Sequence, residues 1–164
     1  MKILFVCLGN ICRSPAAEEI MRRTAAVNGA EWIETDSAGI GNWHQGQLPD
    51  ARMRKCGAAL GYSFGSRARQ VRQEDLDKFD LVVAMDGGNA KALRAMARTN
   101  GQRDKIAEMA AFATRHKGIR EIPDPYYGGE DGFRHVISLL EDACEGLLRH
   151  IVSTKGHEDT PGRG

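Results

Sequence analysis

The sequence predicts an α/β fold: one domain of three layers, α/β/α, with helices on both faces of a central four-stranded parallel sheet. Three observations predict it. The chain opens on the continuous apolar run Lys2-Ile-Leu-Phe-Val-Cys7, which reads as a strand buried on both faces, as parallel sheets require. Strand-like and helix-like segments then alternate to the end of the chain. Finally, 164 residues with 41% hydrophobic and 27% charged side chains make one ordinary globular domain. A chain of that size buries roughly 70% of its unfolded surface without disulfides or a structural metal.

The elements follow in order. After the first strand, Ser14-Pro15 reads as a helix start, with Ser at the cap and Pro in the first turn. Ala16, Ala17, Ile20, Met21, Thr24 and Val27 continue at helical spacing until Asn28-Gly29 stops them. Residues 32–36 form a short second strand and residues 37–42 a flexible connection. Residues 49–60 read as a helix ended by Gly61, and residues 74–79 as a short helical segment. The clearest internal strand is 81–85, terminated by Asp86-Gly87-Gly88, and a helix follows over 90–97. Part of 106–112 supplies the fourth strand. The last helix carries one apolar stripe: Phe133, Val136, Ile137, Leu140, Ala143, Cys144, Leu147, Leu148 and Ile151. The domain therefore spans residues 1–152, and the polar segment 153–164 reads as a disordered tail.

Composition excludes several function classes. Lys plus Arg number 23 and Asp plus Glu 22, so the net charge is +1, which argues against a nucleic-acid binder. The apolar stretch 3–12 is too short to span a bilayer, and Arg13 closes it without a secretory cleavage site. The four cysteines, Cys7, Cys12, Cys56 and Cys144, form neither a disulfide framework nor a zinc spacing. They read as free thiols of a cytoplasmic protein.

In α/β folds of this winding, which is Rossmann-like, ligands bind beyond the carboxyl ends of the strands. The loop Cys7-Leu8-Gly9-Asn10-Ile11-Cys12-Arg13-Ser14 lies there. Its Cys-x5-Arg pattern occurs too readily by chance to decide anything alone; context adds the weight. A loop closing onto a helix N-terminus aims backbone N–H groups at one point, where an anion sits. The same donors favour a thiolate at that point, and Arg13 adds a planar fork for oxyanions. A buried strand-end Cys beside a surface Arg is the competing interpretation. Protonating an alkoxide or phenolate leaving group needs an acid. Pro123-Asp124-Pro125-Tyr126-Tyr127 offers Asp124, with two aromatics to line a slot, although Pro-Asp-Pro also suits a rigid surface turn.

With these residues in view, the sequence closely resembles the low molecular weight protein tyrosine phosphatases, in particular their bacterial members. The signature stretch is residues 6–18; Asp36-Ser37-Ala38-Gly39 with Trp43-His44-x-Gly46, Arg67-Ala68-Arg69-Gln70, residues 81–86 with Asn89, and Asp124-Pro-Tyr-Tyr127 follow in the family's order. The resemblance implies the fold of phosphotyrosine protein phosphatase I and a metal-independent phosphatase that needs no cofactor. It implies Cys7 as nucleophile, Arg13 as phosphate clamp and Asp124 as general acid and base. Leu8, Gly9, Asn10, Ile11, Cys12 and Ser14 would surround the phosphate. Asn10 and Ser37 would support the loop, and Ser14 would stabilise the thiolate. Trp43, Tyr126 and Tyr127 would wall a cleft deep enough to favour phosphotyrosine. Cys7 and Cys12 would form a reversible, protective disulfide. The implied partners are phosphotyrosine-containing proteins, a tyrosine kinase among them, met by a monomer in the cytoplasm with neither nucleic acid nor membrane involved.

Leu60-Gly61 stands where many members carry His-Gly, and residues 41–47 lie in a variable stretch. Two rival functions fit the same loop: an arsenate reductase, which needs relay cysteines that 84–88 lack, and a non-catalytic phosphotyrosine-binding module, which needs neither Cys7 nor Asp124.

Overall fold

The computed structural model describes residues 1–158, with side chains through Lys155. Its elements are β1 (Lys2–Cys7), α1 (Arg13–Val27), β2 (Glu34–Gly39), α2 (Ala51–Ala59), α3 (Asp75–Lys78), β3 (Leu81–Ala84), α4 (Gly87–Met96), α5 (Asn100–Asp104), β4 (Ile106–Glu108) and α6 (Glu130–Glu158), with a 3₁₀ turn at Met109–Phe112. The four strands are all parallel in the order β2-β1-β3-β4. β1 is central, and alternation along it divides the core. Ile3, Phe5 and Cys7 face α1, α2 and α6, while Leu4 and Val6 face α3 and α4. Residues 3–6 are fully buried, as a strand covered on both faces must be. No helix among the described residues is long and apolar enough to cross a membrane.

Several boundaries differ from the sequence expectation. β2 begins at Glu34 rather than 32 and runs through Ser37-Ala38-Gly39, which were expected to be loop. Pairing of Ser37, Ala38 and Gly39 with Phe5, Val6 and Cys7 overrides their poor strand propensity. The two glycines after Asp86 open α4 instead of merely ending β3, because the Asp86 carboxylate caps the Asn89 N–H at 2.8 Å. β4 is only three residues long. The sequence reading assigned no element to α5, which Thr99 caps by accepting from the Gln102 N–H at 3.0 Å.

The expected domain end at 152 also moves. α6 continues to Glu158, six residues into the stretch read as tail. The Thr154 hydroxyl donates to the His150 carbonyl, and Lys155 lies 3.8 Å from the Trp32 ring centroid, so this turn packs back on the domain. The rest of the expected tail, 159–164, lies outside the described residues.

Candidate active site

β1 delivers Cys7 to the carboxyl edge of the sheet, and the chain takes five residues to reach α1. Neighbouring backbone pins this loop from outside. The carbonyls of Cys7, Leu8 and Ile11 accept from the N–H groups of Ile40, Gly41 and Asp50 at 2.8–2.9 Å. Among the described residues, no protein group accepts from the N–H groups of Leu8, Gly9, Asn10, Ile11 or Cys12. Unpaired amides clustered at a helix N-terminus form an anion site.

Asn10 holds the loop's shape from behind. Its φ of 58° lies in the left-handed region, which a short polar side chain tolerates when it is tied down. Its Nδ2 donates to Ser14 Oγ at 2.8 Å and Ser37 Oγ at 3.0 Å, and its Oδ1 accepts the Arg69 N–H at 3.0 Å. Ser14 Oγ lies 3.0 Å from Cys7 Sγ. Because Asn10 already donates to that hydroxyl, the Ser14 proton goes outward, to the sulfur or to the Ala38 carbonyl at 3.5 Å, and a thiolate at 3.0 Å is the nearer and stronger acceptor. Ser14 was expected to cap α1. The helix instead starts at Arg13 with Cys12 as a cap residue that makes no side-chain bond.

Arg13 is 2% exposed. Its Nη1 donates to Asp86 Oδ2 at 2.6 Å and to the Ile122 carbonyl at 3.0 Å. Burial alone would lower its pKa; the charges of Cys7 and Asp86 outweigh this and hold the guanidinium above its ordinary value. Nη2 remains for the cleft and lies 3.6 Å from Asp124 Oδ2. The loop that carries Asp124 reaches this point because the Ile122 N–H bonds the Met85 carbonyl at the end of β3, at 2.8 Å. Asp124 Oδ1 accepts the Tyr126 N–H at 3.1 Å, which leaves Oδ2 facing Arg13.

Together these residues enclose a cleft of about 320 Å³, lined by Cys7, Leu8, Gly9, Ile11, Cys12, Arg13, Trp43, His44, Asp124, Tyr126 and Tyr127. Asn10, Ser14 and Ser37 stand behind the loop, so the Asn10 and Ser14 side chains support it and do not line the cleft. Cys7 and Cys12 share the cleft as free thiols, and burial pushes the Cys12 thiol well above its ordinary pKa, keeping it neutral. Cys56 and Cys144 are buried elsewhere, the latter against the Ala17 carbonyl in the core.

Sequence reading missed two site residues. Asp86 was read as a strand terminator and as the end of the family-like stretch 81–86, without a role, although an Asp at the carboxyl end of a parallel strand is a signal. His44 was quoted beside Trp43 without a role; its ring lines the cleft 6.5 Å from that of Tyr126.

A family model described as low molecular weight phosphotyrosine protein phosphatase matches residues 2–157. The chain belongs to this family. A low molecular weight protein-tyrosine-phosphatase of Bacillus subtilis, YfkJ, is 43% identical over 94% of this chain and 98% of its own length. One from Streptomyces coelicolor is 41% identical, covering 92% and 93%. Among solved structures, a protein tyrosine phosphatase from Entamoeba histolytica, crystallised with Hepes in the active site, superposes with a TM-score of 0.91. It is 46% identical over 94% of this phosphatase and 99% of that chain. The three-layer α/β/α fold and the protein-tyrosine phosphatase class expected from the sequence both stand.

Proposed function

We propose that this phosphatase hydrolyses phosphotyrosine in proteins, and aryl phosphates generally, through a cysteinyl-phosphate. The observation that carries this reading is the convergence of Cys7 Sγ, the unpaired loop amides, Arg13 and Asp124 on one cleft. Cys7 as thiolate attacks phosphorus while the loop amides and Arg13 Nη2 hold the phosphoryl oxygens, so charge is stabilised by fixed donors. Asp124 protonates the departing tyrosine oxygen. With the phenol gone, Asp124 takes a proton from water, which attacks the cysteinyl-phosphate and releases phosphate and Cys7. The Ser14 hydroxyl, 3.0 Å from the sulfur, favours the thiolate both as nucleophile and as leaving group.

Trp43, Tyr126 and Tyr127 rise around the opening, a wall suited to a phenyl ring. The family model's description names phosphotyrosine, which supports the same reading. Its partners would be phosphotyrosine-bearing proteins, a tyrosine kinase among them, met by a monomer in the cytoplasm, where reducing conditions suit four free thiols. An arsenate reductase would need relay cysteines at the cleft, and neither Cys56 nor Cys144 lines it.

The test compares Cys7→Ser with Asp124→Ala on aryl phosphates of graded leaving-group pKa. Cys7→Ser is expected to abolish turnover, by at least about 10⁴-fold, while still binding inorganic phosphate. Asp124→Ala is expected to slow poor leaving groups by about 10²-fold or more and good ones least. Equal slowing across the series removes Asp124 from the acid role, and an inactive wild-type protein supports a binding module instead.

A further inference from the structure

We propose that Arg52, at the start of α2, is a positioning residue for the general acid: it ties the acid loop to the phosphate loop and so sets which oxygen Asp124 offers the leaving group. The proposal rests on the reading of Asp124 as the acid.

The connection is continuous in hydrogen bonds. The Asp50 N–H donates to the Ile11 carbonyl of the phosphate loop at 2.8 Å. The Asp50 carboxylate receives Arg52 in a two-pronged pair, Nε to Oδ1 at 3.0 Å and Nη2 to Oδ2 at 2.9 Å. On its far side Arg52 reaches the acid loop, with Nη2 donating to the Tyr126 carbonyl at 2.9 Å and Nη1 to the Gly128 carbonyl at 3.4 Å. The guanidinium carbon also lies 4.6 Å from the ring centroid of Phe133, which is fully buried, and 5.5 Å from that of Tyr126. A planar fork bonded on two edges and lying over aromatic rings is a geometry that arginine provides and lysine does not.

The acid loop has few other supports. Among the described residues, the polar ties from 124–129 to the rest of the domain are those from Arg52, the Arg13–Asp124 pair and, at the loop's far end, the Gly132 N–H to the Gly129 carbonyl where α6 begins. The turn inside the loop, Gly128 N–H to the Pro125 carbonyl, is local. Tyr126 is therefore gripped at both ends of its backbone. Arg52 holds its carbonyl, and its N–H occupies Asp124 Oδ1, leaving Oδ2 toward the cleft. Without Arg52 the peptide at Tyr126 loses its anchor, and the orientation of the carboxyl that it sets is lost with it.

The experiment measures kcat/KM for aryl phosphates of graded leaving-group pKa with wild type, Arg52→Ala, Asp124→Ala and the double variant, alongside inhibition by inorganic phosphate. Arg52→Ala is expected to lose about tenfold with poor leaving groups and little with good ones, part of the full acid contribution. Phosphate inhibition should stay within about twofold, because the phosphate loop's own amides are untouched. In the Asp124→Ala background, removing Arg52 should cost nothing further, since the two act as one unit. Arg52→Lys, which keeps the charge without the fork, should fall between wild type and Arg52→Ala. If Arg52→Ala fails to fold, the lysine variant carries the same comparison. A uniform loss across leaving groups, or an undiminished loss in the Asp124→Ala background, overturns the proposal. An Asp124→Ala variant that is itself insensitive to the leaving group identifies the acid reading as the error.

Discussion

Cys7, Asn10, Arg13 and Ser14, at and behind the floor of the cleft, are at most 3% exposed and held by a closed set of hydrogen bonds. Trp43 and Tyr127, on its rim, are 65% and 96% exposed, and their side chains make no hydrogen bond among the described residues. The floor meets the same chemical group in every turnover, and fixed dipoles in a low-dielectric site act most strongly there. On the proposed function the rim meets whatever protein surrounds the phosphotyrosine, and exposed aromatic faces tolerate variety at little folding cost. The acid loop lies between these extremes. Asp124 is half-exposed, yet it is tied at one oxygen and faced by a buried cation at the other.

The sharpest way to break this comparison is Arg13→Lys. Lysine cannot serve Asp86, the Ile122 carbonyl and a phosphoryl oxygen together, so kcat/KM is expected to fall by about 10³-fold for good and poor leaving groups alike. A loss below tenfold in steady-state assays would mean that the floor is less exacting than its geometry. Next comes Tyr127→Ala on the rim. Because the ring is almost wholly exposed, KM for phosphopeptides should rise by about threefold with kcat unchanged, the signature of lost uniform binding. A large fall in kcat would move Tyr127 into the machinery.

The smallest effect concerns the frame behind the floor. Glu18, on α1, has a buried Oε1 without a hydrogen-bond partner. Burial pushes its carboxyl up to about 7; the neighbouring charge of Asp36 adds to this, and the hydroxyls of Ser37 and Ser66 oppose it. A carboxyl whose folded pKa is raised binds more protons folded than unfolded between the two values. Its stabilising effect is therefore complete below about 4.5 and lost as pH rises through about 7. Thermal melts of wild type and Glu18→Gln across that window should diverge, with the wild type losing stability relative to the variant as pH rises. Parallel curves would leave Glu18 without this role.

What was legible follows from how far apart the interacting residues stand in the chain. β1 could be read because five consecutive apolar residues admit one explanation, and the phosphate loop because its sulfur, glycine, arginine and helix start occupy eight positions. Ser14 was misread for the complementary reason. Ser before Pro is a sound local cap, but the sulfur of Cys7 and the amide of Asn10 compete for its hydroxyl and win. Asp86 and Arg52 were missed as functional residues because nothing next to them in sequence says what they touch. Trp32 and Lys155 stand far apart in the chain, so their contact could not inform the end of α6.

By itself, then, the sequence determined the alternation of strands and helices and the Cys-x5-Arg loop between β1 and α1, since both depend on residues within a turn or two of one another. The tertiary structure alone decided that Asp86 braces Arg13 across 73 residues and that Ile122 does so across 109. It also decided that Arg52 grips Tyr126 and that Asp124 turns Oδ2 to the cleft. Hydrogen bonds and charges act over a few ångströms of space whatever the chain distance, so which groups meet is settled only when the sheet brings its strand ends together.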